Sequence, residues 1–172
     1  MRRVLHVLVN AVAALLVSAC APDLQVRPEL APAPLGTFRL AANVVFDGNR
    51  DYLPRTLRHE TSTNAGITAH YQHEVAYGNT DLDAIALYNP LTIVGFPTGQ
   101  NTLTIVAELK VSRDGALLKS YRAVGFVVQT TNLWTFRTAT ELRRDGLLAV
   151  RDNIETQMIH DEAHLEQLVR LQ

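Results

Sequence analysis

Cysteine is nearly absent. Cys20 is the only one in 172 residues, so no disulfide can form within the chain and a disulfide-stapled module is excluded. Nine glycines and seven prolines are too few for a collagen-like or low-complexity chain. An excess of either charge is missing as well: 16 Lys and Arg stand against 17 Asp and Glu, which gives no electrostatic footprint for nucleic acid. The apolar run from Val4 to Leu16, interrupted by His6 and Asn10, would rise only ~20 Å as a helix against ~30 Å of hydrocarbon, too short for a permanent span. What is present is 47% apolar and 19% charged residues, the balance of a chain that folds around one core.

The start of the chain reads as an address. Arg2 and Arg3 precede the apolar run, and the small-residue ending Val17-Ser18-Ala19-Cys20 follows it, which is signal-peptide anatomy. Residues Val17-Ser18-Ala19-Cys20 resemble the lipobox of bacterial lipoprotein precursors. That resemblance implies cleavage before Cys20, a thioether-linked lipid on its sulfur, and palmitate-type acylation of its new amino group. Ala21 follows the Cys where an Asp would be the family's usual inner-membrane retention signal, so the resemblance implies the periplasmic face of the outer membrane. Removing residues 1–19 takes away two arginines and leaves 14 basic against 17 acidic side chains. Such a mildly acidic body has no charge-based reason to hold an anionic bilayer by itself.

The expected organisation is a signal peptide over 1–19, a lipid-anchored Pro-rich tether over 20–36 and a single periplasmic domain over 37–172. The tether carries Pro22, Pro28, Pro32 and Pro34. As extended polyproline it would not fold and could hold the domain up to roughly 50 Å from the membrane. In the domain, Phe38, Leu40, Ala42, Val44 and Phe46 alternate with their neighbours, the period of a half-buried strand. Ile67 to Tyr77 repeats that pattern. Thr102 to Ser112 and Leu117 to Gln129, joined by Arg113-Asp114-Gly115-Ala116, read as an antiparallel hairpin. At Thr138-Ala139-Thr140-Glu141 the period changes to that of a helix, opened by a capping box. Leu147, Val150, Ile154 and Met158 then form an apolar stripe, with Arg143, Arg144, Arg151 and Asp152 off it. The expected fold is α+β, an antiparallel sheet of about four strands packed on a long C-terminal helix. From Tyr88 to Met158 the chain also resembles a loose group of uncharacterised proteobacterial lipoproteins, a likeness that carries no residue role.

The chemistry-bearing motifs weaken on inspection. His160-Asp161-Glu162-Ala163-His164 puts two histidines at i and i+4, the spacing for one zinc ion. The zinc-protease pattern needs a Glu directly after the first His, and Asp161 stands there instead. His70 and His73, three apart on a strand, point to opposite faces. Asp47-Gly48-Asn49-Arg50-Asp51 lacks the terminal bidentate Glu of a calcium loop and reads as a turn. No catalytic, cofactor or metal residue is therefore assigned, and no cofactor is expected. Two sites are. Cys20 is the lipidation site, and the apolar segment Leu91, Ile93, Val94 and Phe96, set between Pro90 and Pro97, is a candidate partner contact. The expected function is a non-enzymatic outer-membrane lipoprotein that serves as an accessory subunit in envelope assembly or maintenance. It would dock an envelope protein through that segment or a sheet edge. The alternative is a periplasmic binder of a small apolar or lipid ligand between sheet and helix.

Overall fold

The computed structural model describes residues 22–33, 38–60, 66–80, 99–132 and 137–170. Six strands form one sheet in the order β1-β6-β5-β4-β2-β3: β1 Asp23–Arg27, β2 Leu40–Val45, β3 Leu57–His59, β4 Ile67–Thr80, β5 Gly99–Arg113 and β6 Ala116–Thr131. Two helices follow, α1 Ala139–His160 and α2 Glu162–Arg170.

The hairpin β5–β6 is the spine. Along β5 every odd-numbered residue from Leu103 to Val111 is buried and every even-numbered one half-buried. Its turn places Asp114 and Gly115 at φ 49° and 84°. Positive φ at both central positions gives a turn whose twist matches that of the flanking strands. β4 pairs antiparallel with β5 along its whole length, and β1 pairs antiparallel with β6. The row Asp23–Val128–Thr102–Gly78 runs straight across these four strands.

The expected sheet of about four antiparallel strands is corrected here. The sheet is mixed, has six strands and is strongly curled into a half-barrel. β2 runs parallel to both β4 and β3. The physical reason is the connection: parallel neighbours need a crossover of a dozen or more residues, and Phe46 to Gly66 is long enough to carry the chain back to its starting end. The unfolded state expected for the Pro-rich stretch is corrected too, because its residues 23–27 form β1. Pairing with β6 satisfies the backbone groups that face it, and Asn153 of α1 donates to the Pro28 carbonyl at 2.8 Å.

Thr138 caps α1. Its hydroxyl accepts from the Glu141 N–H while the Glu141 carboxylate accepts from the Thr138 N–H. Leu142, Leu147, Val150, Ile154 and Met158 turn toward the concave face of the sheet and are at most 4% exposed. The backbones come unusually close here. A Cβ on Gly125 of β6 would sit 2.8 Å from Val150 Cγ1, and one on Gly146 of α1 would sit 2.5 Å from Ile105 Cδ1. Small residues at the crossing let α1 settle deeply into the curl. At Asp161 the helix breaks, and α2 continues as a separate element.

A short arm clasps the outside of α1. Asn49 caps a 3-10 turn at Arg50–Tyr52, accepting from the Asp51 N–H at 3.0 Å. Beyond it, Glu155 of α1 accepts from the Arg55 N–H at 3.0 Å and from Arg55 Nε at 3.1 Å. Glu155 is only 6% exposed, so these charge-assisted bonds answer its burial.

Candidate functional site

Several of the expected positions fall outside the described residues: Cys20 and the whole segment Leu91, Ile93, Val94 and Phe96. The histidine motif is described, and the Asp161 break changes it. His160 ends α1 while His164 lies in α2, so the single continuous helix face assumed for one metal ion does not exist. Asp161 instead joins elements, accepting from the Tyr121 hydroxyl at 2.8 Å and from Lys119 Nζ at 2.9 Å. Burial alone would raise its carboxyl, but the hydrogen bonds from Lys119 and Tyr121 outweigh that and hold it below the ordinary value.

The geometry worth building upward lies on β4. β2 pairs with it only through Asn43↔Thr68, Val44↔Ala69 and Val45↔His70. From Tyr71 to Thr80, no strand covers that side of β4 among the described residues. Alternate residues of this stretch point N–H and C=O toward β5, and the others point them outward. Among the described residues the outcome is an open hydrogen-bonding edge of ten residues, Tyr71–Thr80.

The start of that edge is aromatic. Tyr71 and His73 share the inner face of β4, as their even spacing requires, while His70 and Gln72 are exposed. The Phe46 ring packs 5.2 Å from Tyr71 and 5.7 Å from His73, and Tyr52 lies 6.2 Å from His73. These centroid distances are those of edge-on and tilted aromatic pairs. Two polar atoms in this cluster, Tyr71 Oη and His73 Nδ1, are buried without a hydrogen-bond partner among the described residues. Such a group costs roughly 1–3 kcal/mol of stability.

Both ionisable rings are shifted. Burial raises the Tyr71 phenol to about 12, although the Arg151 charge pulls the other way. The phenol is therefore a hydrogen-bond donor at any physiological pH. Burial, with the Arg143 charge adding to it, holds the His73 imidazole below its usual value. The folded state thus favours the neutral ring, while the unfolded chain takes up a proton near the ordinary value of about 6.5. The associated stability is present above that value and is lost as the pH falls through the folded one. Urea denaturation of the wild type should show its midpoint dropping between pH 7 and 5 more steeply than that of His73→Gln. Identical slopes would mean that His73 is solvated.

No protein-family model matches the chain, and a comparison with curated proteins finds no relative. Among the described residues, no group of three His, Cys, Asp or Glu side chains is placed to hold a metal ion. The open edge escaped the sequence reading because strand periodicity reports which face is buried and not which neighbour stops short. The cluster around His73 was half visible, since Tyr71 and His73 fall on the apolar phase of a period-two pattern.

Proposed function

We propose that this chain is a lipid-anchored, non-enzymatic envelope protein that docks a protein partner by strand addition to the open edge of β4. The address comes from Val17-Ser18-Ala19-Cys20, which resembles a lipobox. One observation carries the docking: β2 leaves β4 at His70, so the Tyr71–Thr80 backbone has nothing paired on one side among the described residues. An unpaired edge of that length is a template for an extended segment, whose main chain would supply affinity and whose alternate side chains would supply specificity. The alternative of an apolar ligand between sheet and helix has less behind it, because Ile105, Leu109, Leu147, Val150, Ile154 and Met158 fill the middle of that interface at no more than 1% exposure, and the cavity at its end, beside Leu103 and Leu142, measures only about 220 Å³.

A photoreactive amino acid at Tyr77, which is 56% exposed beside the open edge, tests the reading in intact cells. Leu117, 61% exposed at the opposite end of the sheet, serves as the control position. A discrete adduct at position 77 and none at 117 is expected. Equal adducts at both, or none at either, would remove the edge from consideration.

A further inference from the structure

The convex face of the sheet is uncovered among the described residues, since α1 packs on the concave one. On β5 the half-buried, even-numbered residues point outward, and the residues directly opposite them on β4 and β6 point the same way. This face divides along its length. Toward the hairpin turn it is charged: Glu108 accepts from Gln72 Nε2 at 3.0 Å and from Ser120 Oγ and Lys110 Nζ at 3.1 Å each, and Arg122 stands opposite it. Toward the other end charge runs out. The rows Phe126–Thr104–Ala76 and Val128–Thr102–Gly78 carry none, and in Val124–Val106–Glu74 only the residue on β4 is charged. Phe126 lies at the centre of this half and is 41% exposed. An apolar patch rimmed by polar side chains is the signature of a contact surface.

The chain that leads into β1 indicates what covers the patch. β1 pairs with β6 in the uncharged half, through Asp23↔Val128 and Gln25↔Phe126. Only Ala21 and Pro22 separate Cys20 from Asp23. That spacer spans at most roughly 10 Å, and Val128 stands one strand spacing of about 4.8 Å past Asp23. A lipid on Cys20 would therefore keep the patch within roughly 15 Å of the headgroups, with Lys110 roughly 27 Å further along β5. The first turn of α1 instead presents exposed Glu141, Arg143 and Arg144. The convex side has the least charge to desolvate. We infer that the convex face around Phe126 rests on the leaflet that holds the Cys20 lipid, with Phe126, Val124, Val106 and Val128 meeting the headgroup region. This inference deepens the lipid-anchored reading and rests on it. So small a patch would not hold the body alone, but an anchor makes the contact intramolecular, and a high effective concentration lets a weak contact suffice. It uses the face of the sheet while strand addition uses the edge of β4, so both can hold at once.

The test exploits the single cysteine. With Cys20 consumed by lipid, one introduced cysteine takes a nitroxide spin label specifically. The full lipidated chain is labelled through Thr104→Cys beside Phe126, Ser120→Cys in the charged half or Arg144→Cys on α1, and placed in vesicles of phosphatidylethanolamine and phosphatidylcholine. Collisions with oxygen, which concentrates in lipid, against those with a water-soluble nickel chelate read the depth of each label. The label at position 104 should lie within about 5–10 Å of the headgroup–acyl boundary, the depth of other interfacial apolar faces, and those at 120 and 144 should stay in water. Phe126→Gln should lift the label at 104 into water without changing flotation of the protein with the vesicles, whereas Phe126→Leu should leave it in place. The comparison of the three positions in the wild type stands without either variant, so a misfolded Phe126→Gln does not remove the test. A protein that does not float with the vesicles fails the anchor and takes the contact with it. A floating protein whose label at 104 is as wet as those at 120 and 144 overturns the contact and leaves the anchor standing. Dipolar broadening between labels at 104, relieved by dilution with unlabelled protein, would place a second copy on this face and equally overturn the contact.

Discussion

Cys20→Ser is expected to abolish stable membrane association, giving either a soluble protein or an uncleaved precursor. The proposed anchor depends on the nucleophilicity of sulfur: a thiolate attacks the lipid donor, and a serine hydroxyl, far less acidic, does not. The effect is all-or-none because of chain arithmetic. Each buried CH₂ adds about 0.8 kcal/mol, one chain alone binds reversibly, and several chains together do not let go on a cellular timescale. The body offers no substitute, having 14 basic against 17 acidic side chains beyond residue 19. Cell fractionation with mass analysis of the mature N-terminus checks this. A bare thiol on Cys20 in the wild type, or normal fractionation of the serine variant, would sink the lipid assignment.

Ile154→Ala should lower unfolding free energy by about 3–4 kcal/mol, the cost of a lost isoleucine side chain plus the cavity it leaves. Ile154 is fully buried in the α1 stripe that fills the half-barrel. The backbones on either side are held by the close crossing at Gly125 and Gly146, which leaves little room to collapse into the void. A domain of this size has only about 5–15 kcal/mol in total, so the variant would lose about a fifth of it or more. Leu117→Ala, at a position 61% exposed, should change stability by under about 0.5 kcal/mol. Urea midpoints with unchanged slopes would separate the two. Equal losses would place the core elsewhere.

The sequence was most readable where local pattern and tertiary role coincide. Alternation over Thr102–Ser112 is the burial pattern of β5, because a strand covered on one side alternates by geometry. Thr138 and Glu141 announced the start of α1, because capping is a local hydrogen-bond exchange. Pairing partners were not readable. Leu40–Val45 shows its buried face plainly, yet nothing in it says that its neighbours lie parallel. That follows from where Phe46–Gly66 returns the chain. β1 was hidden by Pro22 and Pro28, which flank it and discourage a strand assignment. They are tolerated because β1 is an edge strand that ends beside them. β3 spans only three residues, too few to display any period. The helix break at Asp161 has no Gly or Pro to signal it; Tyr121 and Lys119 on β6 hold that carboxylate in place.

The row that crosses the sheet from Asp23 to Gly78 bears on how a partner would arrive. Cys20 precedes Asp23 by three residues, at most roughly 10 Å of extended chain. Gly78 stands three strand spacings further on, about 14 Å. A lipid on Cys20 would therefore moor the body nearly flush with the bilayer, with the open end of β4 inside a gap thinner than a small folded domain is wide. A freely diffusing visitor would be crowded out of that gap, whereas a protein already resident in the same leaflet would meet the strand by lateral diffusion. Confinement to a plane would raise the encounter concentration without a single added contact.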